Sequence, residues 1–286
     1  MKKILTIILT CLLITGCDFT DDFSDKYLYT TMYPIEYATS MIYSDYAKIS
    51  SVYPNDATLN YEVTNKKKTQ YAEKGEMFIY SGVANEAYLA KDLLNINGEM
   101  KLIDATKGMN SDKGFESVWL DPSNYLMLCS NIKSSLIDYN DNVYIKEAIE
   151  ESYKTLNEKV SELDVQLYNI GKNGNYNTLL VTDNVFTYLT KYNINVISID
   201  SANQSNDKSY SDAKKMIDAN KIKYIYYIND TEITSTQEKF ISDNFLTKVK
   251  INDLFTLTDN ERKDNKNYIT LMNEIIENYK KELYKK

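Results

Sequence analysis

A chain of 286 residues with 43% hydrophobic side chains, eight glycines and three prolines can bury one large core or two modest ones, which excludes a disordered chain. Its formal charge of −8 argues against nucleic acid and against electrostatic docking on anionic lipid. It has no histidine and a single arginine, Arg262, so imidazole chemistry is absent and a bidentate clamp on carboxylate or phosphate ligands is disfavoured.

The N-terminus reads first as a leader. Lys2 and Lys3 precede an apolar run, Ile4 to Ile14, that is shorter than the roughly 20 residues needed to span a bilayer. The run ends in Ile14-Thr15-Gly16-Cys17, which is similar to the lipobox of bacterial lipoproteins, whose cysteine becomes a lipidated N-terminus. An ordinary secretion signal is the alternative. Residues 1–16 are therefore expected to be a signal peptide and 17–26 a tether lipidated at Cys17, with a reach of roughly 16 Å over nine flexible residues. Removing the leader takes away Lys2, Lys3 and Cys11, leaving Cys129 as the one free thiol and no disulfide framework.

Beyond the tether, strands are expected at Tyr27 to Thr30, Met77 to Tyr80 and Lys101 to Ile103, with helices from Ile35 to Tyr43, Asn85 to Leu94 and Ser123 to Tyr139. The same rhythm resumes with strands at Thr178 to Val181, Asn195 to Ile199 and Tyr224 to Ile228, and with helices near Asn184 to Tyr192 and Tyr210 to Asn220. A last helix gathers Tyr268, Leu271, Met272, Ile275, Ile276, Tyr279 and Leu283 on one face. Between the halves, Ile145, Ile149, Tyr153, Leu156, Val160, Leu163, Leu167 and Ile170 form one apolar stripe about 39 Å long. The expected fold is α/β, two lobes of parallel sheet flanked by helices and joined by one long backbone helix. The lobes are placed at 27–142 and 173–286 and the linking helix at 143–172. Pairing of that stripe with another chain is the alternative; a monomer is the expectation.

Catalytic signatures are missing. The chain has no histidine to shuttle protons, no GxxxxGK[ST] phosphate loop and no GxGxxG after a strand, so it is not expected to be an enzyme. Cys129 falls on the apolar face of its helix and reads as a core thiol. Lys66-Lys67-Lys68 reads as a solvated helix face. Asp121-Pro122 reads as a helix N-cap followed by proline at the first helical position, with Trp119 packed in the first lobe.

Five strings in order give a family likeness over nearly the whole mature chain. Thr30-Thr31-Met32-Tyr33-Pro34-Ile35, Phe78-Ile79-Tyr80-Ser81-Gly82, Lys101-Leu102-Ile103-Asp104-Ala105, Val118-Trp119-Leu120-Asp121-Pro122 and Asn267-Tyr268-Ile269-Thr270-Leu271-Met272 resemble the zinc/manganese ABC-transporter substrate-binding lipoproteins, the adhesin-type solute-binding proteins. The resemblance implies a metal held between the lobes by three histidines and a carboxylate, and delivery of that metal to a membrane permease. Residue by residue, none of those histidines is present. Their positions fall on Leu59 (or Asn60, one residue on), Ser117 and Asp183, and the carboxylate falls on Asn252, with Asp253 beside it. Three readings stay open: one divalent cation on an oxygen-rich replacement set, a non-metal solute, or a non-transporting surface or adhesion lipoprotein. By resemblance the leading one is an extracytoplasmic, lipid-anchored component at the cell membrane that hands a solute to an ABC permease. No resident cofactor is implied.

Overall fold

The computed structural model describes residues 27–84, 86–200, 206–228 and 233–286. The signal peptide, the tether, Cys17 and Asn85 lie outside the described residues. Two four-stranded parallel sheets carry the chain. The first is built from β1 (Tyr27–Thr30), α1 (Tyr33–Tyr43), β2 (Lys48–Ser51), α2 (Asn65–Lys74), β3 (Gly75–Tyr80), a 3-10 turn at Gly82–Ala84, α3 (Ala87–Ile96) and β4 (Lys101–Asp104). There follow the short α4 (Ser117–Leu120), α5 (Pro122–Tyr139) and the long α6 (Val143–Asn173). The second sheet is built from β5 (Thr178–Val181), a 3-10 segment at Asn184–Tyr192, β6 (Asn195–Ser198), α7 (Asn206–Asp218), β7 (Tyr224–Tyr227), α8 (Ser235–Asp243) and β8 (Thr247–Lys250), and the chain closes with α9 (Asp259–Lys263) and α10 (Tyr268–Leu283). The strand orders are β2-β1-β3-β4 and β6-β5-β7-β8. Each order reverses direction once, between β1 and β3 and between β5 and β7, and in open α/β sheets ligands bind beyond the strand ends at such points.

Strand pleat decides which core each residue joins. Leu28, Met77, Ile79 and Ile103 enter the large central cluster, whereas their neighbours Tyr29 and Phe78 enter a smaller one with Ala72, Ala90 and Leu93 under α2 and α3. The second sheet divides in the same way, Leu179 and Val181 facing the central cluster and Leu180 and Ile225 a separate one with Ala213 and Ile241. Both faces of each sheet are thus covered, as parallel strands require. The central cluster contains inward residues of both sheets together with α1, α5, α6 and α10, so one continuous apolar interior serves the whole body.

The helix α6 is the spine of that interior. Asn142 caps it, its side-chain oxygen accepting from the Tyr144 N–H at 2.9 Å. Ile149, Leu156, Val160, Leu163 and Leu167 are fully buried along its face. Near its end Gly171 lets the 3-10 segment lie against the helix, because a Cβ there would stand 1.9 Å from the Tyr192 carbonyl oxygen. At the far end of the chain Asn267 and Thr270 form a reciprocal cap for α10, whose Glu282, fully buried, accepts from the N–H groups of Lys223 and Tyr224 at 2.9 and 2.7 Å. Cys129 is buried in the α5 interior, where desolvation pushes its thiol well up and leaves it inert. Among the described residues no helix is long and apolar enough to cross a membrane.

Candidate functional site

A crevice of about 810 Å³ opens beyond the carboxyl end of β8, between the loop after β2 and the segment that runs from β8 to α9. Four of the residues expected from the sequence meet there: Leu59, Asn60, Asn252 and Asp253. Asn252 and Asp253 belong to a tight turn in which Leu254 takes a left-handed φ of 59°. Each side chain closes the turn on a backbone N–H two residues on: Asn252 Oδ1 on Leu254 at 2.8 Å and Asp253 Oδ1 on Phe255 at 2.9 Å. The Asn252 amide also donates to Glu261 at 2.8 Å, so both of its polar atoms have protein partners. Burial raises the Asp253 carboxyl, an effect partly offset by the Phe255 N–H and by Lys250. Leu59 is 41% exposed and brings only methyl groups.

The two remaining positions are placed differently. Ser117 is buried, donates to the Gly114 carbonyl at 2.6 Å and lines a separate cavity with Asp121, Tyr188 and Lys191; its neighbour Glu116 is the residue that lines the crevice. Asp183 caps the 3-10 segment, its carboxylate accepting from the Val185 N–H at 2.6 Å, and burial raises its carboxyl, with Asp200 adding to the shift. It lines neither cavity. Sequence reasoning missed Glu116, Asp56, Glu261 and Lys250 of the crevice wall. Only Glu116 had a signal, one residue from an expected ligand; the others arrive through tertiary packing.

The walls are tied together by bonds that cross between the two sheets. Trp119 donates its indole N–H to the Asp253 carbonyl at 2.6 Å and accepts from the Tyr268 hydroxyl at 2.6 Å on its own carbonyl. Asp121 caps α5 through the Ser123 N–H at 3.0 Å and also pairs with Lys191, which bonds the Ser123 hydroxyl at 2.7 Å. The single arginine, Arg262, forks onto Glu36 at 2.9 and 2.7 Å and holds Asn55 at 2.6 Å. The Val118-Trp119-Leu120-Asp121-Pro122 string therefore fastens one lobe to the other as well as starting a helix.

Four carboxylates, Asp56, Glu116, Asp253 and Glu261, face the crevice with one ammonium, Lys250, an arrangement that draws cations. It does not suit zinc, which gains most from imidazole and thiolate. The chain has no histidine, its described thiol is in the core, and no group of three or more cysteine, aspartate or glutamate side chains among the described residues is gathered to hold an ion.

Leu59 and Asn60 also face a further cavity, of about 540 Å³, on the other side of their loop, where Glu86 is 5% exposed. Burial holds the Glu86 carboxyl up at about 7, against hydrogen bonds from the Ser81 N–H and Tyr53 and the influence of the nearby Thr31 hydroxyl, while Asp104 raises it further. Native Glu86 thus keeps a proton that the unfolded chain, with a carboxyl near 4.5, gives up. Its contribution to stability is fully present below about 4.5 and is lost as pH rises through about 7. Glu86→Gln is expected to reduce the loss of stability between pH 5 and pH 8 by on the order of 2 kcal/mol. Denaturant unfolding at the two pH values checks this; an unchanged difference would contradict it.

Two parallel sheets with a crevice at their strand ends define a cleft-type solute-binding protein. Residues 28–282 match the family described as zinc-uptake complex component A, periplasmic, and the chain belongs to that family. The zinc-binding lipoprotein AdcA of Streptococcus pneumoniae is 25% identical over 301 residues, an alignment that takes in 95% of this chain and 59% of that relative, so the chain spans only part of the curated relatives it matches. Among solved structures, the Zn(II)-bound ZnuA-like domain of that AdcA shares 24% identity at a TM-score of 0.71, covering 91% of this chain and 99% of that one. The metal-dependent lipoprotein YcdH from Bacillus subtilis shares 20% at 0.72, covering 90% and 98%. The laminin-binding protein Lbp of Streptococcus pyogenes shares 15% at 0.70, again covering 90% and 98%. These three likenesses carry the fold.

Proposed function

We propose that the chain is an extracytoplasmic substrate-binding lipoprotein, a monomer held to the cell membrane through lipid on Cys17, that presents a solute to an ABC permease and has given up tight zinc binding. It is a binding protein and not an enzyme. Family membership supports the class, and the observation that carries the rest is the crevice wall: Leu59 and Asn60 stand where the resemblance implies one imidazole and Asn252 where it implies the carboxylate, among the carboxylates of Asp56, Glu116, Asp253 and Glu261. A cation there is hard and oxygen-ligated, with calcium, magnesium and manganese suiting carboxylate and carbonyl donors better than zinc does. A crevice of about 810 Å³ also favours a second reading, a small organic solute that fills more of the space than one ion.

Elemental analysis of the mature protein, followed by titration with zinc, manganese and calcium, tests this. Zinc is expected to bind weakly, since loss of a single supporting residue at a zinc site costs about tenfold to a hundredfold and three ligands are missing here. Asp253→Asn is expected to weaken any specific hard cation by about tenfold or more. Stoichiometric zinc that survives mild chelation would overturn the reading. Native mass spectrometry of the purified protein separates a bound ion from an organic solute.

A further inference from the structure

The cavity behind the crevice loop has a different chemistry from the crevice. Tyr53 and Tyr61 stand at right angles in its wall, ring centroids 5.9 Å apart with an interplanar angle of 79°, and Tyr88, 71% exposed, lines it as well. The Tyr61 hydroxyl accepts from the Lys67 ammonium at 3.1 Å, which holds that ring by its edge. At the base lies Glu86. Its carboxylate accepts from the Tyr53 hydroxyl at 2.8 Å and from the Ser81 N–H at 2.8 Å. Both partners are neutral, and among the described residues no lysine or arginine is paired with Glu86. Lys68, the basic residue of this cavity, is engaged by Asp92 at 2.6 Å.

A buried carboxylate without a basic partner is costly, and a cation entering beside it removes the cost. Aromatic faces select which cation. Tyrosine rings attract ammonium groups through their quadrupole, and alkylated ammonium ions, weakly hydrated, lose little on leaving water for such a corner. A metal ion is a poorer fit, since no group of three acidic or thiol side chains among the described residues is gathered to ligate one. We propose that this cavity is a second binding site, for a small alkylammonium ion whose positive centre rests against Tyr53, Tyr61 and Tyr88 above the Glu86 carboxylate.

The site shares the Leu59-Asn60 loop with the crevice, but its tyrosines and Glu86 line this cavity and not the crevice. Its affinity rises as pH passes upward through the titration of Glu86, whose neighbours are Tyr53, the Thr31 hydroxyl, the Ser81 N–H and Asp104.

Titration of the mature protein with choline, followed by calorimetry, tests the proposal against 3,3-dimethylbutan-1-ol, the neutral molecule of the same shape. Saturable binding of choline alone is expected, weakened about tenfold both by Tyr88→Ala, a solvent-exposed change that leaves folding intact, and by Glu86→Gln. Three results would overturn it: no saturable binding at millimolar choline, equal binding of the neutral molecule, or binding that survives both substitutions unchanged. Choline binding lost in Asp253→Asn but kept in Glu86→Gln would place the ammonium in the crevice and likewise refute this second site. Failure here leaves the metal titrations of the crevice unaffected.

Discussion

Val160→Pro is expected to unfold the protein under conditions where the parent is fully native. Val160 is fully buried near the middle of the 31-residue helix α6, which contributes Ile149, Leu156, Leu163 and Leu167 to the shared interior. Proline removes one helix hydrogen bond and drives its ring into the preceding turn, at a cost of ~3 kcal/mol or more. Kinking the spine also pulls its face from both sheets at once, against a total stability of only about 5–15 kcal/mol for an ordinary domain. Circular dichroism during urea unfolding measures the effect. A parent-like midpoint would mean that the two sheets do not depend on a continuous helix. The same continuity predicts that ligand binding closes the body little; a large compaction in solution scattering would count against it.

Trp119→Ala is expected to have the next largest effect. The side chain is fully buried, and truncating such a tryptophan costs about 3–5 kcal/mol through lost burial and the cavity left behind. The Asp253 carbonyl also loses its indole donor, which adds about 1–3 kcal/mol if water does not replace it. Trp119→Phe separates the two terms, keeping most of the volume and removing the N–H. Alanine and phenylalanine variants of equal stability, measured by denaturant unfolding, would show that packing contributes nothing beyond the hydrogen bond.

The central strands were legible because they are nearly unbroken apolar runs; Thr178 to Val181 is buried at every position. The strands β2 and β8 were not. Each lies at a sheet edge and carries lysine, Lys48 in one and Lys248 and Lys250 in the other, so their hydrophobic pattern is too thin to read, while charge at an edge is what discourages pairing with other chains. The segment Asn184 to Tyr192 showed helical spacing and folds as a 3-10 helix, the tighter winding that lets it lie on α6 over Gly171. The Asp121 cap could be read from Asp-Pro alone, but its pairing with Lys191, 70 residues further on, could not.

The resemblance proposed Asn252 and Asp253, which line one wall of the crevice, and Leu59 and Asn60, which line another. It could not tell Glu116 from Ser117. Successive residues at the start of a helix point roughly 100° apart, so an offset of one position swings a side chain from the crevice into the cavity beside it. Which of the two faces a ligand depends on how α4 is seated, and that is fixed by Trp119 reaching across to Asp253.

The turn from Asn252 to Leu254 carries a further consequence for how such a protein can change over generations. Its two side chains hold the turn by bonding their own backbone, while the apolar interior lies beneath it and is fed by other residues. Asparagine and aspartate make that bond equally well, so the carboxylate here can be gained or lost with little penalty to folding. Exchange of asparagine and aspartate at either position thus changes the charge that lines the crevice while keeping the bonds that close the turn.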